Sequence, residues 1–348
     1  MRPLSSLTSL VSKWGQSSPR LHRRLRYVGI DIGIDRVTVA MLGWIQHDPK
    51  QEGTIGWISR TQFIVPVDPS AQPKSDWIDR VVETLTSELP RCLDGHRVIA
   101  TLSLPSTWVH YQTVAANELA TTKRQSDEMF RSSIFKSDSH VTHWPVVQGN
   151  DSRLVAATGA AAAARVAKAV ADVGYEIGTI LPAGAAMMHA SSLTSMTPSS
   201  VILLDPIGGL IALSSATLPE PPTCGLCRTL PTCTTGKASP QFVDELEPWL
   251  GEVAAEYEAT CRFATRNGAK LSATSPILIG GRLAHIDGVA ATLATLTNRP
   301  VAPWRYAGRF RPSDATVVNR NHDATDALAI SLAYCSIGLA GSRRSQLR

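Results

Sequence analysis

Three short turns in this 348-residue sequence carry residue types that can hold a phosphate. In Gly29-Ile30-Asp31-Ile32-Gly33, a carboxylate ends an apolar run two residues before a glycine. Glycine lets backbone N–H groups approach an anion closely, and an acid beside them can order the waters of a magnesium ion. Leu203-Leu204-Asp205-Pro206-Ile207-Gly208-Gly209 repeats that order of apolar run, acid and glycine. The third turn, Ile279-Gly280-Gly281-Arg282-Leu283, joins a diglycine to a cation. Two glycines let a backbone lie flat against a planar ring, and a guanidinium can stack on one. Each turn alone also reads as an ordinary β-turn. The functional signal is their combination and order along the chain.

Regular elements must position these turns. Branched and apolar residues predict strands over Tyr27–Asp31, Val37–Leu42, 56–65, Arg97–Leu104 and 108–114. Ser75 can cap a helix whose Trp77, Val81, Val82, Leu85 and Leu89 share one face, ended by Pro90. A helix over 121–135, a strand at Arg153–Ala157 and an alanine-rich helix over 160–173 capped by Gly174 follow. After a further helix around 182–191, the Ser/Thr/Pro run 195–200 marks a boundary. Beyond it the pattern predicts strands over Val201–Asp205 and Leu210–Leu213, a long helix opened by Pro248, and a strand at Pro276–Ile279. A helix over about 288–297 comes next, then a polar irregular stretch 305–322. The last helix, from Asp323 to Ala340, is apolar nearly all round and so is expected to be buried. Alternating strands and helices with hairpins indicate layered α/β architecture.

Composition narrows the function classes. The net charge is +5, but residues 1–30 hold Arg2, Lys13, Arg20, Arg23, Arg24 and Arg26 with no carboxylate, so the rest sums to −1. A basic segment on a near-neutral body suits an anionic membrane face or acidic partner and gives no case for nucleic-acid binding. Leu4, Leu7, Leu10, Val11 and Trp14 lie at helical spacing, yet no continuous apolar h-region is present, so neither a signal peptide nor a membrane span is expected. No Gly-x-x-x-x-Gly-Lys-Ser/Thr loop occurs, which argues against a P-loop NTPase. Cys224, Cys227 and Cys233 include a zinc-like Cys-x-x-Cys spacing, but no histidine lies between His189 and His285 and a structural zinc wants four ligands. Free, half-buried thiols and no resident metal site are the expectation.

On these residues the chain resembles the actin-like ATPases, the superfamily that also holds sugar kinases, Hsp-type chaperones and the cell-division protein FtsA. Within it the pattern is most similar to the PilM family of type IV pilus assembly. Val28-Gly29-Ile30-Asp31-Ile32-Gly33 with Val37-Thr38-Val39 is similar to that family's opening. Thr101–Pro105, the amphipathic segment 118–135 and Arg153–Ala157 follow the order of its inserted subdomain. Ala183-Gly184-Ala185-Ala186, Leu278–Leu283 with Gly288, and Ser336–Ala340 match the later pattern.

The resemblance implies an α/β, actin-like (duplicated ribonuclease H-like) fold of two lobes, with a small α/β subdomain inserted in the first. The implied first lobe is 27–198 with the insertion at about 97–175, and the second is 199–341, flanked by basic segments 1–26 and 342–348. It implies ATP with Mg²⁺ between the lobes. Asp31 and Gly33 would form one phosphate loop, Asp205, Gly208 and Gly209 the other, with Gly280, Gly281 and Arg282 against the adenosine and Mg²⁺ near Asp31 and Asp205. The implied role is a cytoplasmic nucleotide-binding scaffold, peripheral to the inner membrane, in a type IV pilus-like or type II secretion-like platform. Its implied partner is the short tail of a single-span, PilN-like membrane protein, with self-association left open. The same superfold leaves open a small-molecule kinase, an FtsA-like polymer former, and a scaffold that has lost nucleotide.

Two departures weigh against turnover. Pro206 stands between Asp205 and Ile207, where the family writes Asp-Ile-Gly, and it restricts the backbone carrying that acid. Ile34 and Asp35 stand where small hydroxyl residues are typical, and Asp35 adds a negative charge beside the phosphates. No residue stands out as the group that would orient a nucleophile, so ATP binding with weak or no hydrolysis is expected.

Overall fold

A computed structural model describes residues 25–45, 54–66, 75–91, 96–115, 139–147, 150–194, 200–214, 224–233, 240–266, 274–306 and 322–346. The expected helix over 121–135, the boundary run 195–199 and the N-terminal segment 1–24 lie outside the described residues.

The first sheet is built from β1 (Leu25–Ile32), β2 (Arg36–Ile45), β3 (Thr54–Ile64), β4 (Arg97–Ser103) and β8 (Glu176–Ile180), in the order β3-β2-β1-β4-β8. The second is built from β9 (Ser200–Leu203), β10 (Leu210–Ser214), β11 (Cys224–Thr229), β12 (Ile277–Gly280) and β13 (Val301–Pro303), in the order β11-β10-β9-β12-β13. The two orders are the same. In each, the first strand pairs antiparallel with the second and the second with the third, while the first strand pairs parallel with the fourth and the fourth with the fifth. This is the duplicated two-lobed arrangement that the sequence resemblance implies. A small antiparallel sheet holds β5 (His110–Ala115), β6 (Ser139–Val147) and β7 (Asn150–Gly159), in the order β5-β7-β6. β4, which the sequence reading grouped with residues 97–175, pairs with β1 and β8 in the first sheet.

Central strands are apolar on both faces because both faces are covered. In β1, Val28, Ile30 and Ile32 on one face and Leu25 and Tyr27 on the other are buried, and so are the successive Val201 and Ile202 in β9. Helix α1 (Ser75–Glu88) buries Trp77, Val81 and Leu85 at four-residue spacing and packs on α2 (Ala160–Asp172). The second sheet is backed by α4 (Glu247–Arg266) and α5 (Val289–Thr297), which pack on one another, where Trp249, Leu250, Val253 and Tyr257 point inward.

Two helices are exchanged between the halves. Helix α3 (Ala183–Ala190) follows the last strand of the first sheet but packs on β9, β10 and β11. After the short α6 (His322–Thr325), α7 (Ala327–Gln346) comes from the second half and packs on β1, β2 and β4. The two meet at the centre, where His189 stacks on Tyr334 with ring centroids 5.7 Å apart. Thr101 and Ser336 hydroxyls bond at 2.7 Å, joining β4 to α7. One buried cluster therefore runs through both lobes.

The α7 contact explains Gly29. A side chain there would overlap the Ala329 carbonyl and the Ala333 amide, which are helix backbone and cannot swing away. Gly29→Ala is expected to destabilise the protein by about 3 kcal/mol or more, as overpacking against a rigid element does. Urea unfolding of the variant, with an unchanged midpoint as the contrary result, checks this.

Candidate functional site

The three glycine turns meet in one place, and charged side chains join them. The first turn lies between β1 and β2. Its Gly33 N–H donates to the Arg36 carbonyl at 2.8 Å, closing it tightly. Two neighbours fix its outer edge. The Trp77 indole donates to the Ile34 carbonyl at 2.6 Å, and the Val65 N–H to the Asp35 carbonyl at 2.9 Å. Trp77 of α1 and Val65 after β3 thereby fix the backbone at Ile34 and Asp35.

The second turn follows β9. Leu204 N–H donates to the Gly280 carbonyl at 2.6 Å, and Leu283 N–H donates to the Leu204 carbonyl at 3.0 Å, so the second and third turns are stitched directly together. The Pro206 and Gly209 carbonyls each accept a bond at 2.8 Å, from the Cys233 and Leu230 N–H groups respectively. The buried Ser106 hydroxyl donates to the Gly208 carbonyl. Ser106 opens the short 3-10 turn Ser106–Trp108 after β4, and Trp108 packs against Trp77 with centroids 4.4 Å apart.

The third turn leaves β12. Gly281 has φ +98°, and a side chain on it would come within 2.7 Å of the Leu204 carbonyl oxygen. Its N–H donates to the Ala324 carbonyl at 2.8 Å. Only glycine serves here, because the corner runs directly over the second turn's backbone.

Asp205 is the hub of the cluster. Its Oδ2 accepts from Arg36 Nη2 at 2.8 Å, across the cleft between lobes. Its Oδ1 accepts from Arg282 Nε at 2.9 Å and Nη2 at 2.8 Å. Arg282 Nη1 then crosses back to Asp35 Oδ2 at 2.6 Å. The chain Arg36–Asp205–Arg282–Asp35 thus bridges the lobes twice. Arg36 and Asp205 are largely buried, with side chains 7% and 13% exposed. Ion pairs this dry hold only when geometry and hydrogen bonding are good, and Asp205 meets that condition with both oxygens engaged. Burial alone would lower the Arg282 pKa, but Asp205 and Asp35 outweigh it and raise the value above the ordinary one.

Asp31 stands beside the cluster, half-buried at the end of β1, paired in register with Thr38 and Ser103. Burial pushes its carboxyl up to about 7; Arg36 pulls it down, Asp205 pushes it up, Arg282 pulls it down and Asp326 pushes it up. Asp326 is itself fully buried ahead of α7 and pairs with Arg60 of β3 at 2.5 Å.

Sequence reasoning named Asp31, Gly33, Asp205, Gly208, Gly209, Gly280, Gly281 and Arg282. The structure brings their three turns together, with Arg282 on Asp205 and Asp35. It missed Arg36 and Ser106. Arg36 was legible as a cation three residues after Gly33, whereas nothing around Ser106 marks it. Among the described residues no group of three or more His, Cys, Asp or Glu could hold a metal ion. Cys224 and Cys227 are buried in β11 near Tyr111 of β5. Burial, with the Cys227 and then the Cys224 thiol beside it, holds the Tyr111 phenol well above its ordinary range. No helix among the described residues is long and apolar enough to cross a membrane.

No family model and no curated protein matches the sequence. Solved structures do. The PilM–PilN type IV pilus biogenesis complex matches with a TM-score of 0.64 at 15% identity, covering 90% of this chain and 99% of that one. The ethanolamine utilization protein EutJ of Carboxydothermus hydrogenoformans gives a TM-score of 0.47 at 12% identity over 94% of this chain and 98% of that one. The cytoplasmic domain of EpsL, an inner-membrane component of the type II secretion system of Vibrio cholerae, gives 0.40 at 10% over 90% and 94%. The fold is actin-like, and the chain is similar to PilM of the PilM–PilN complex across nearly its whole length.

The raised Asp31 pKa sets a pH dependence. The folded protein keeps this proton up to about pH 7, whereas an unfolded carboxylate loses it near 3.8. The native state therefore binds more protons between these values, and its stability from this group falls as pH rises from about 4 to 7. Asp31→Asn should remove that fall and make the protein more stable at neutral pH, by on the order of 1–3 kcal/mol. Thermal melts of both proteins between pH 4 and 8 check this; parallel profiles would contradict it.

Proposed function

We propose that this protein is a cytoplasmic scaffold on the inner face of a membrane assembly platform of the type IV pilus or type II secretion kind. In this reading it takes the short tail of a single-span, PilN-like membrane protein and holds an adenine nucleotide between its lobes. The observation that carries the proposal is the PilM–PilN likeness, which extends over 90% of this chain and 99% of the other. The peptide would lie along a sheet edge or groove, since main-chain pairing suits a short extended tail.

The nucleotide part rests on the convergence of the three turns. Asp31 and Gly33 line one wall of the proposed site, Asp205, Gly208 and Gly209 the other, and Gly280, Gly281 and Arg282 the corner between them. Arg36 and Arg282 are the cations on hand for phosphates, and a guanidinium fork matches a phosphate's geometry. Turnover is not part of the proposal. The first turn has its Gly33 N–H committed to Arg36, and Asp205 is held on both oxygens, so neither acts as a poised catalytic group.

Two titrations of the purified chain test this reading. Calorimetry against ATP and against synthetic cytoplasmic tails of single-span membrane proteins from the same organism should show saturable binding of ATP and of one tail. Phosphate release should stay at background. Binding of neither ligand would defeat the proposal, and brisk ATP consumption with a sugar or organic acid would replace it with a small-molecule kinase.

A further inference from the structure

The four linked side chains lie at different depths. Arg36 and Asp205 are 7% and 13% exposed, whereas Arg282 is 24% and Asp35 36% exposed. The outermost link, from Arg282 Nη1 to Asp35 Oδ2 at 2.6 Å, rests on one hydrogen bond. Arg282 meets Asp205 through both Nε and Nη2, and Asp205 is held by Arg36 as well. Displacing Asp205 would take a partner from a buried guanidinium, which is costly. Asp35 can turn into water at little cost, because partly exposed ion pairs contribute little. Its main chain meanwhile stays anchored, with the Trp77 indole on the Ile34 carbonyl and the Val65 N–H on the Asp35 carbonyl. The carboxylate therefore moves by rotating about its own side-chain bonds.

We propose that Asp35 is an internal competitor for phosphate: its carboxylate occupies the Arg282 guanidinium that a nucleotide's phosphate takes, and binding exchanges one anion for the other. This rests on the nucleotide reading above and names what that site must release. Asp35 lies in the first turn, two residues past Gly33, on the wall that the reading gives to phosphate. A carboxylate and a phosphate offer a guanidinium the same kind of acceptor, oxygens matched to its planar fork. Through the exchange Arg282 keeps Asp205 on Nε and Nη2, so the cation stays positioned and only the partner of Nη1 changes. Arg36 is not disturbed. Because the link joins the first turn to the third across the lobes, its release also loosens the outer rim of the cleft while the deeper Arg36–Asp205 pair holds. Asp35 thereby lowers the apparent affinity for phosphate by the fraction of time it occupies Arg282.

The test is a set of calorimetric titrations of the full chain with ATP in excess Mg²⁺. Asp35→Asn keeps the shape but loses the charge that holds the guanidinium, and it should bind ATP about fivefold tighter or more. General repulsion between Asp35 and phosphate would also give a gain, so the substitution is repeated in an Arg282→Gln background. There the gain should shrink to within about twofold, because no guanidinium is left to release. A gain of equal size in both backgrounds would overturn the competition, and so would unchanged or weaker binding by Asp35→Asn alone. Either result, with ATP bound by the native chain, leaves the nucleotide reading intact. No ATP binding by the native chain or by Asp35→Asn would overturn both. If Arg282→Gln is unfolded by circular dichroism or binds no ATP, the Asp35→Asn gain is measured again in about 1 M KCl, where the screening length is about 3 Å. A direct contact survives that screening, and a gain that vanishes there would overturn the proposal.

Discussion

The carboxylate of Asp205, held between Arg36 and Arg282, is the contact around which the rest of the molecule is arranged. Each oxygen faces a cation from a different lobe. Removing the acid would leave Arg36 without its partner in a largely dry site and Arg282 with Asp35 alone, and breaking buried pairs of this kind typically costs about 3–5 kcal/mol. Removing either arginine leaves a buried carboxylate half-satisfied. The cluster therefore ties the lobes at a set distance, and everything that positions those four side chains is part of the same device.

The fold delivers that positioning by duplication and exchange. Each lobe repeats one strand order, so each presents a hairpin turn after its first strand to the same cleft. Helices α3 and α7 then cross over, each sealing the sheet of the opposite half, so the lobes share a buried core beneath the cleft. Around the rim, the tilted contact of Trp77 with Trp108 braces the first turn and the Ser106 turn together. The two backbone bonds at Leu204 do the same for the second and third turns. A cleft braced in this way on both walls is suited to holding a ligand or a partner in place.

Much of this was legible in the sequence because the relevant signals are local. Apolar runs ending in glycine turns, two of them with an acid, located β1, β9 and β12 and their turns, and the nearly all-round apolar pattern from Asp323 to Ala340 announced a buried helix. What pattern could not supply was partnership. Nothing in the spacing says that Arg36 reaches Asp205, 169 residues away, or that Arg282 reaches Asp35, 247 residues away. The resemblance places Arg282 beside adenosine, and no local pattern shows that its guanidinium is engaged by two carboxylates. The third strand of the small sheet, β6, and the short edge strand β13 carry weak alternation and went unread, since both depend on a neighbouring strand for their form. The single long helix expected from Asp323 is divided at Asp326, whose carboxylate is buried against Arg60.

The account stands on the claim that Arg36 and Asp205 couple the lobes energetically, beyond merely lying close. A double-mutant cycle of Arg36→Met and Asp205→Asn, read by chemical denaturation, measures that coupling directly. The account predicts a favourable interaction energy of about 1–3 kcal/mol, the range seen for neighbours that share a buried network. A value within about 0.3 kcal/mol of zero would mean that the two substitutions act independently and that the bridge does not hold the lobes together.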